Sequence, residues 1–218
     1  MLSLTSLLFI GITCCLLYLF YRVLPQQQGV NTIVITWVAM IGLIAACGFF
    51  QMKFGKLPAL IFLFPCILAF VVFLIAKVDT RNTTLYNLLW FHVLRIPVEI
   101  GLFLLFKKKM LPIEMTFLDR NWDIVVGLSA LLMLLWHKQT GRTISKKIMI
   151  GWNIMGILFL VHIVTVAILS TPTPIQQFGF TQPNVAVLQF PYIFLPAIIV
   201  PFVFSAHVWS LKKLKRMA

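Results

Sequence analysis

Phe91-His92-Val93-Leu94-Arg95-Ile96-Pro97-Val98-Glu99 decides how the chain is read, because three ionisable side chains and a proline interrupt an otherwise apolar segment. At about 100° per residue on a helix, His92, Arg95 and Glu99 fall within an arc of about 60° and form one polar stripe. An ionised Arg or Glu facing hydrocarbon costs roughly 2.5–3.5 kcal/mol on insertion scales. The stripe is therefore expected to face the inside of a helix bundle and to find partners there.

The rest of the chain supplies that bundle. It is 61% hydrophobic and 11% charged, with a mean hydropathy of +1.01. A soluble surface needs about a quarter charged residues, so composition excludes a soluble domain and predicts a polytopic membrane protein. The net charge of +13 comes from Lys and Arg clustered at the ends of apolar runs. They read as topology signals and headgroup contacts, with the lipid bilayer as partner. Nucleic acid is not expected, since no basic surface interleaved with aromatics is available to hold it. Cys14, Cys15, Cys47 and Cys66 lie inside apolar runs without paired metal-ligand spacing and read as buried thiols. No metal and no cofactor is expected.

A helical span needs about 20 mostly apolar residues. Stretches 3–22, 31–50, 57–77, 84–106, 122–137, 148–170 and 189–210 come near that length. This predicts an all-α bundle of seven transmembrane helices forming a single integral membrane domain over residues 1–218. The fifth stretch is short and is expected to borrow length from the loop before it. The run from Leu2 to Leu19 lacks a basic flank ahead of it and a small-residue cleavage site after it, so it reads as a retained span. The Asn82-Thr83-Thr84 sequon would lie on the inner side, where it is not glycosylated.

Basic residues set the orientation. With the carboxyl terminus inside, the inner ends collect Arg22, Lys77, Arg81, Lys138, Arg142, Lys146, Lys147, Lys212, Lys213, Lys215 and Arg216. The loop from Ser170 to Asn184 has no basic residue and suits the outside. The amino terminus is then outside. Lys107, Lys108 and Lys109 oppose this arrangement, and an interfacial or re-entrant segment at Met110–Phe117 would soften the conflict.

The loop Leu111–Asp123 holds Glu114, Asp119 and Asp123, three of the five acidic residues. Asp119 or Asn121 is a candidate N-cap for the fifth span, and Asp123 sits in its first turn, where a helix dipole favours a carboxylate. Capping leaves Arg120, Asn121 and the apolar Met115-Thr116-Phe117 unexplained. Glu99 lies about 10 Å from the outer end of its span, and His162 reaches a similar depth. Arg95, Glu99, Arg120, Asn121, Asp123 and His162 are therefore the candidate ligand-binding residues, in the outer half of the bundle. Asn153 is about half a helical circuit from His162 and is expected to bond a neighbouring helix instead. Pro97, Pro191, Pro196 and Pro201 predict helix kinks whose freed carbonyls need new partners. In the last span they could make a discontinuous helix lining a cavity. Pro58 and Pro65 of the third span would match it in a three-plus-one-plus-three repeat, but the halves share no sequence similarity.

Arg95-Ile96-Pro97-Val98-Glu99, Met115-Thr116-Phe117 and Arg120-Asn121-Trp122-Asp123 resemble a functionally uncharacterised family of bacterial seven-span inner-membrane proteins. Trp152-Asn153, Gly156, Ser170, Pro172, Pro183-Asn184, Pro191, Leu195-Pro196, Pro201 and His207 continue the likeness, which runs from the fourth span to the carboxyl end. The resemblance implies a multi-pass protein of the bacterial inner membrane and lends no activity. The chain departs from the pattern at Asp119, where glycine is usual, which removes the ground for expecting a tight backbone turn there.

Four functions fit these residues. A carrier or channel for a small polar or anionic solute would use Arg95 and Arg120 for the anion and Glu99 as charge partner or proton carrier. A structural or accessory subunit would use an Arg95–Glu99 pair to join helices. A lipid-modifying enzyme would draw on Glu99, Asp123 and His162, although no nucleophile motif or phosphate loop accompanies them. Haem held by His92 and His162 would rest on two single histidines, which are more often hydrogen-bonded interior residues. Binding or transport is the leading expectation, an enzyme is not favoured, and the sequence sets no oligomeric state.

Overall fold

The computed structural model describes residues 3–24, 28–55 and 57–217, leaving Leu2 of the first apolar run outside the described residues. Its helices are α1 (Leu4–Val23), α2 (Gln28–Ala46), α3 (Leu63–Lys77), α4 (Leu85–Val93), α5 (Arg95–Lys107), α6 (Asp123–Thr140), α7 (Lys146–Leu169) and α8 (Val200–Arg216). Taking α4 with α5 as one span, and α3 and α8 with the turns that lead into them, six helices among the described residues are long and apolar enough to cross a membrane. The helix in the place of the expected fifth span, α6, is not among them. Asp123 at one end and His137-Lys138-Gln139-Thr140 at the other leave it an apolar stretch of only 13 residues. At 1.5 Å per residue that is about 20 Å, short of a hydrocarbon core of about 30 Å.

The burial pattern is that of a bundle in an apolar surrounding. Leu43, Val72 and Leu132 are exposed, while Arg95, Glu99 and Asp123 are buried. α8 is the most enclosed helix and α2 the least. α3, α4 and α7 pack around α8, α1 packs on α5, and α6 on α4 and α5. Phe202 of α8 sits against Phe20, Phe70 and Phe91, so aromatic rings from four helices meet in one layer. The four cysteines are all exposed, correcting the expectation of buried thiols. An apolar run in such a bundle does not imply burial, because its outer face needs no protein to cover it.

Prolines and glycines break the helices where backbone chemistry requires it. Pro97 lacks the N–H that would reach Val93, and the fourth stretch divides there at Leu94 into α4 and α5. Gly48, with φ of 74°, ends the second helix earlier than expected. A short hairpin follows, pairing Lys53–Phe54 with Leu57–Pro58, an element an all-helical reading does not include. The last span is discontinuous. Residues 189–193 are turns, the Phe190–Pro191 peptide is cis, and Leu195–Ile199 is a π-turn before α8. Pro201 cannot donate to the Ala197 carbonyl, and Trp37 Nε1 donates to it at 2.9 Å.

At one end of the bundle, α5 closes in a Schellman motif. Met110 N–H donates to Leu105 O at 3.0 Å and Lys109 N–H to Phe106 O at 2.9 Å. Lys109 occupies the left-handed position, with φ of 59°. Lys108 Nζ donates to Thr5 Oγ1 at 2.8 Å, so part of the triple lysine is absorbed by the start of α1. The loop after it is not a helical re-entrant segment. It carries one 3-10 turn, Ile113–Met115, and buries Leu111, Met115 and Thr116. Met110 O accepts from Val185 and Ala186 N–H, both at 3.0 Å, tying this loop to the one before α8. Asp119 lies outside the left-handed region, and its N–H donates to Thr116 O at 3.1 Å. The loop descends far enough for α6 to begin at the level of Glu99 and end where His137 stacks on Tyr86 at 3.5 Å. The expected fifth span does not gain length from the loop: α6 begins at Asp123, and the residues before it are not helical.

At the opposite end Lys212 donates to Ile75 O, and Lys213 to Arg81 O, each at 3.0 Å. Asp79, in this basic region, is hydrogen-bonded by Arg81 Nε, which holds its carboxyl below the usual range. Two substitutions test the local geometry. Lys109→Gly relieves a left-handed side-chain-bearing residue and is expected to stabilise the protein by about 1 kcal/mol. Trp37→Phe strands the Ala197 carbonyl and is expected to destabilise by about 1 kcal/mol. Reversible unfolding in mixed micelles measures both.

Candidate functional site

Two glycines on neighbouring helices bring the polar stripe to its partners. A Cβ on Gly127 would lie 2.9 Å from Ile96 Cγ1 and 3.2 Å from the Ile96 backbone nitrogen, so α6 meets α5 at backbone distance. Asp123 is one turn before Gly127 on the same face. Its Oδ2 therefore reaches Arg95 Nη2 at 3.3 Å. A Cβ on Gly156 would overlap the His207 ring, so that position on α7 admits the imidazole of α8 only as glycine. The Gly156 carbonyl also takes a long contact from Arg95 Nη2 at 3.5 Å.

The buried row has two parts. Toward the basic end, the His92 and His207 rings lie 3.9 Å apart, with Trp152 against both. His207 Nδ1 hydrogen-bonds Asn153 Oδ1 at 2.9 Å, and Asn153 Nδ2 donates to Met149 O at 2.8 Å. The expected helix-to-helix role of Asn153 is thus observed. Toward the loop end, Asn121 Nδ2 donates to both Glu99 oxygens at 2.8 Å and to Met115 O at 3.1 Å. Asn121 Oδ1 accepts from Asp123 N–H at 3.0 Å. Asn121 is not the N-cap, which is Trp122, but stands one residue before it and joins the first N–H of α6 to Glu99. Asp119 does not cap; it is half-exposed and paired with Arg120 at 3.8 Å.

Of the six candidate ligand-binding residues, Arg95, Glu99, Asn121 and Asp123 come together and Arg120 and His162 do not. The Arg120 guanidinium lies 4.8 Å from the Phe178 ring centre, at the surface. His162 is exposed because the inward stripe of α7 runs through Asn153, Gly156, Leu160 and Ile163, at helical spacings that leave position 162 outside. A haem between His92 and His162 does not fit this placement. Arg95 pairs with Asp123 rather than with Glu99.

Glu99, Asn121 and Asp123 form one wall of a cavity of about 180 Å³ between α3, α5, α7 and the π-turn before α8. Thr171 and Asn184 add polar groups to its wall, and Leu60, Phe64, Leu102, Leu160, Val164 and Ile168 make it otherwise apolar. Pro196 lines it too, as expected for a discontinuous helix. Phe64 and Ile168 are exposed, so the cavity opens on the apolar flank of the bundle. Arg95 is not part of its wall. Among the described residues no group of three or more metal-ligating side chains occurs.

His207 and Asn184 enter the sequence reading only through the family likeness, with no role attached to either. The apolar stretch 189–210 puts His207 close to its end, but α8 continues to Arg216, about two and a half turns further. Asn184 stands in a loop in sequence, yet its N–H donates to Ser170 O at 2.8 Å, which draws it into the bundle.

Removing one partner of the buried pair, by Arg95→Met or Asp123→Leu, is expected to cost roughly 3–5 kcal/mol, and the double replacement to recover most of it. Gly156→Ala is expected to displace His207 and cost about 1–3 kcal/mol. Both are read by unfolding, and an additive Arg95/Asp123 double mutant would contradict the pairing.

A family model described as a domain of unknown function, DUF8737, matches residues 54–215. The match begins in the hairpin before α3, earlier than the likeness seen from the fourth span onward. No curated protein and no solved structure matches the chain. The region matched takes in α3 to α8 and every residue of the buried polar row, and the chain belongs to the DUF8737 family.

Proposed function

We propose that this chain is a multi-pass protein of the bacterial inner membrane that binds, and carries across the bilayer, a small solute with a polar head. The observation that carries the proposal is that the polar row is not sealed throughout: Glu99, Asn121 and Asp123 line a cavity. The bundle crosses the membrane seven times, with the descending loop and α6 together completing the crossing that α6 alone is too short to make. The amino terminus is outside and the carboxyl terminus inside. Support for this comes from the basic residues named above, which gather at the end where Lys212 and Lys213 meet the 75–81 segment. The cavity then lies in the outer half. The π-turn at Leu195–Ile199 gives the cavity wall a segment outside regular α-helical bonding, a common place for movement.

The anionic form of the solute is not retained, because Arg95 is engaged by Asp123 and Arg120 is at the surface. A second reading, the accessory subunit, is favoured by the way Arg95 links α5 to α6 and α7. A panel of small polar-headed solutes separates the two readings, tested for thermal stabilisation of purified protein and for flux into proteoliposomes. Binding is expected to raise stability by about 2.7 kcal/mol at a hundredfold excess over Kd. Ala167→Phe, which fills the cavity, is expected to remove the effect. Folded protein that neither responds to nor moves any member of the panel would leave the accessory role.

A further inference from the structure

The charges around the cavity do not balance. The buried row holds one guanidinium, Arg95, and two carboxyl groups, Glu99 and Asp123. Arg95 is matched by Asp123 at 3.3 Å, and Glu99 is held by a neutral amide, Asn121. A second ionised carboxylate at this depth would be an uncompensated buried charge, which is strongly destabilising. One positive charge is needed at Glu99, and either a proton or a cationic ligand can supply it.

The hydrogen-bond inventory of the cavity wall points to the same chemistry. Among the described residues, the buried side-chain atoms of the wall without a partner are Asp123 Oδ1 and Asn184 Oδ1. Both are acceptors. Asp123 is 6% exposed and Asn184 1%, and Asn184 is oriented by Nδ2 donating to Ala167 O at 3.3 Å. A ligand that satisfied them would bring donors to a place already short of positive charge. The remaining wall is hydrocarbon, and its mouth, beside Phe64 and Ile168, faces the apolar flank. A cavity of about 150 Å³ lined by aliphatic and aromatic side chains holds a benzene ring, so about 180 Å³ admits a ring or short alkyl body with an amino head.

We infer that the cavity is a site for a lipophilic amine in its ammonium form, which enters from the bilayer and takes the place of a proton on Glu99. The inference rests on the reading of the protein as a solute-binding membrane protein and names the class of solute. The ammonium group donates to Asp123 Oδ1, Asn184 Oδ1 and the Glu99 carboxylate, and the hydrocarbon body lies against Leu102 and Leu160. The exchange is balanced: Glu99–COOH and R–NH3+ give Glu99–COO−·R–NH3+ and one proton released. Linkage then makes a falling pH weaken binding, because the proton competes for Glu99. The ionisable groups that face Glu99 are Arg95 on its own helix and Asp123 on α6, while His162 on α7 and Cys66 on α3 are exposed and outside the cavity wall. The described part of the π-turn before α8 contributes none, and His92 and His207 lie beyond Arg95.

Purified full-length protein is titrated calorimetrically with phenethylammonium, 2-phenylethanol and phenylacetate, in buffers of different ionisation enthalpy, between pH 5.5 and 8.5 (about the range in which an ordinary histidine or a perturbed carboxyl changes charge). The expected result is binding of phenethylammonium with about one proton released, at least tenfold tighter than the alcohol, with no detectable binding of phenylacetate, and weakening as pH falls. Glu99→Gln is expected to lose both affinity and proton release, while Glu114→Gln in the loop keeps them. If Glu99→Gln does not fold, the wild-type pH profile decides, and a flat profile overturns the inference. Binding of the alcohol or the carboxylate at equal or higher affinity without proton release overturns the cation assignment and leaves solute binding standing. Binding of none of the three overturns the assignment, and the wider panel then decides the parent reading.

Discussion

The ion pair between Arg95 and Asp123 is the contact on which the interior depends. It exists because Gly127 lets α6 approach the α5 backbone and because α6 starts deep in the bundle rather than at its end. Each constraint requires the other. A helix entering at the surface would place its first-turn carboxylate too far from the middle of α5, and a side chain at position 127 would hold the helices apart. The descending loop is therefore part of the same device as the charge pair, and Asn121 joins them by accepting from the Asp123 N–H while holding Glu99.

The two ends of the buried row differ in kind. Around His92 and His207 the packing is close, with Gly156 giving up its side chain to the imidazole and Trp152 closing the space. Around Glu99 the protein supplies one amide and then a cavity. Both ends keep buried polar atoms without a partner, His92 Nδ1 and Nε2 and His207 Nε2 at one and Asp123 Oδ1 and Asn184 Oδ1 at the other, and it is the second set that borders the cavity. The broken start of α8 is placed against the same cavity, so irregular backbone and unmatched charge coincide.

Much of this was legible in the sequence, for physical reasons that can be named. His92, Arg95 and Glu99 share a face by helical period alone, and all three are buried. Asn121 and Asp123 were found by depth, because a loop at one end of a bundle must lie near residues at that end. Depth does not fix the direction of a side chain around its helix. This is why His162, at the right level, faces outward, and why Arg120 turns to Phe178. His207 was hidden because lysines and arginines usually mark a helix end, whereas here Lys212 to Arg216 continue α8. The cysteines misled for the converse reason: apolar neighbours in sequence say nothing about which side of an apolar helix a thiol occupies.

The most direct measurement is an experimental map of the protein equilibrated with bromophenethylammonium, with the bromine located by its anomalous signal. The account places the bromine in the cavity, beside Leu102 and Leu160, with the ammonium density touching Asp123 Oδ1, Asn184 Oδ1 and Glu99. A map in which the cavity has collapsed, with those oxygens bonded to protein donors and the bromine elsewhere or absent, would contradict it.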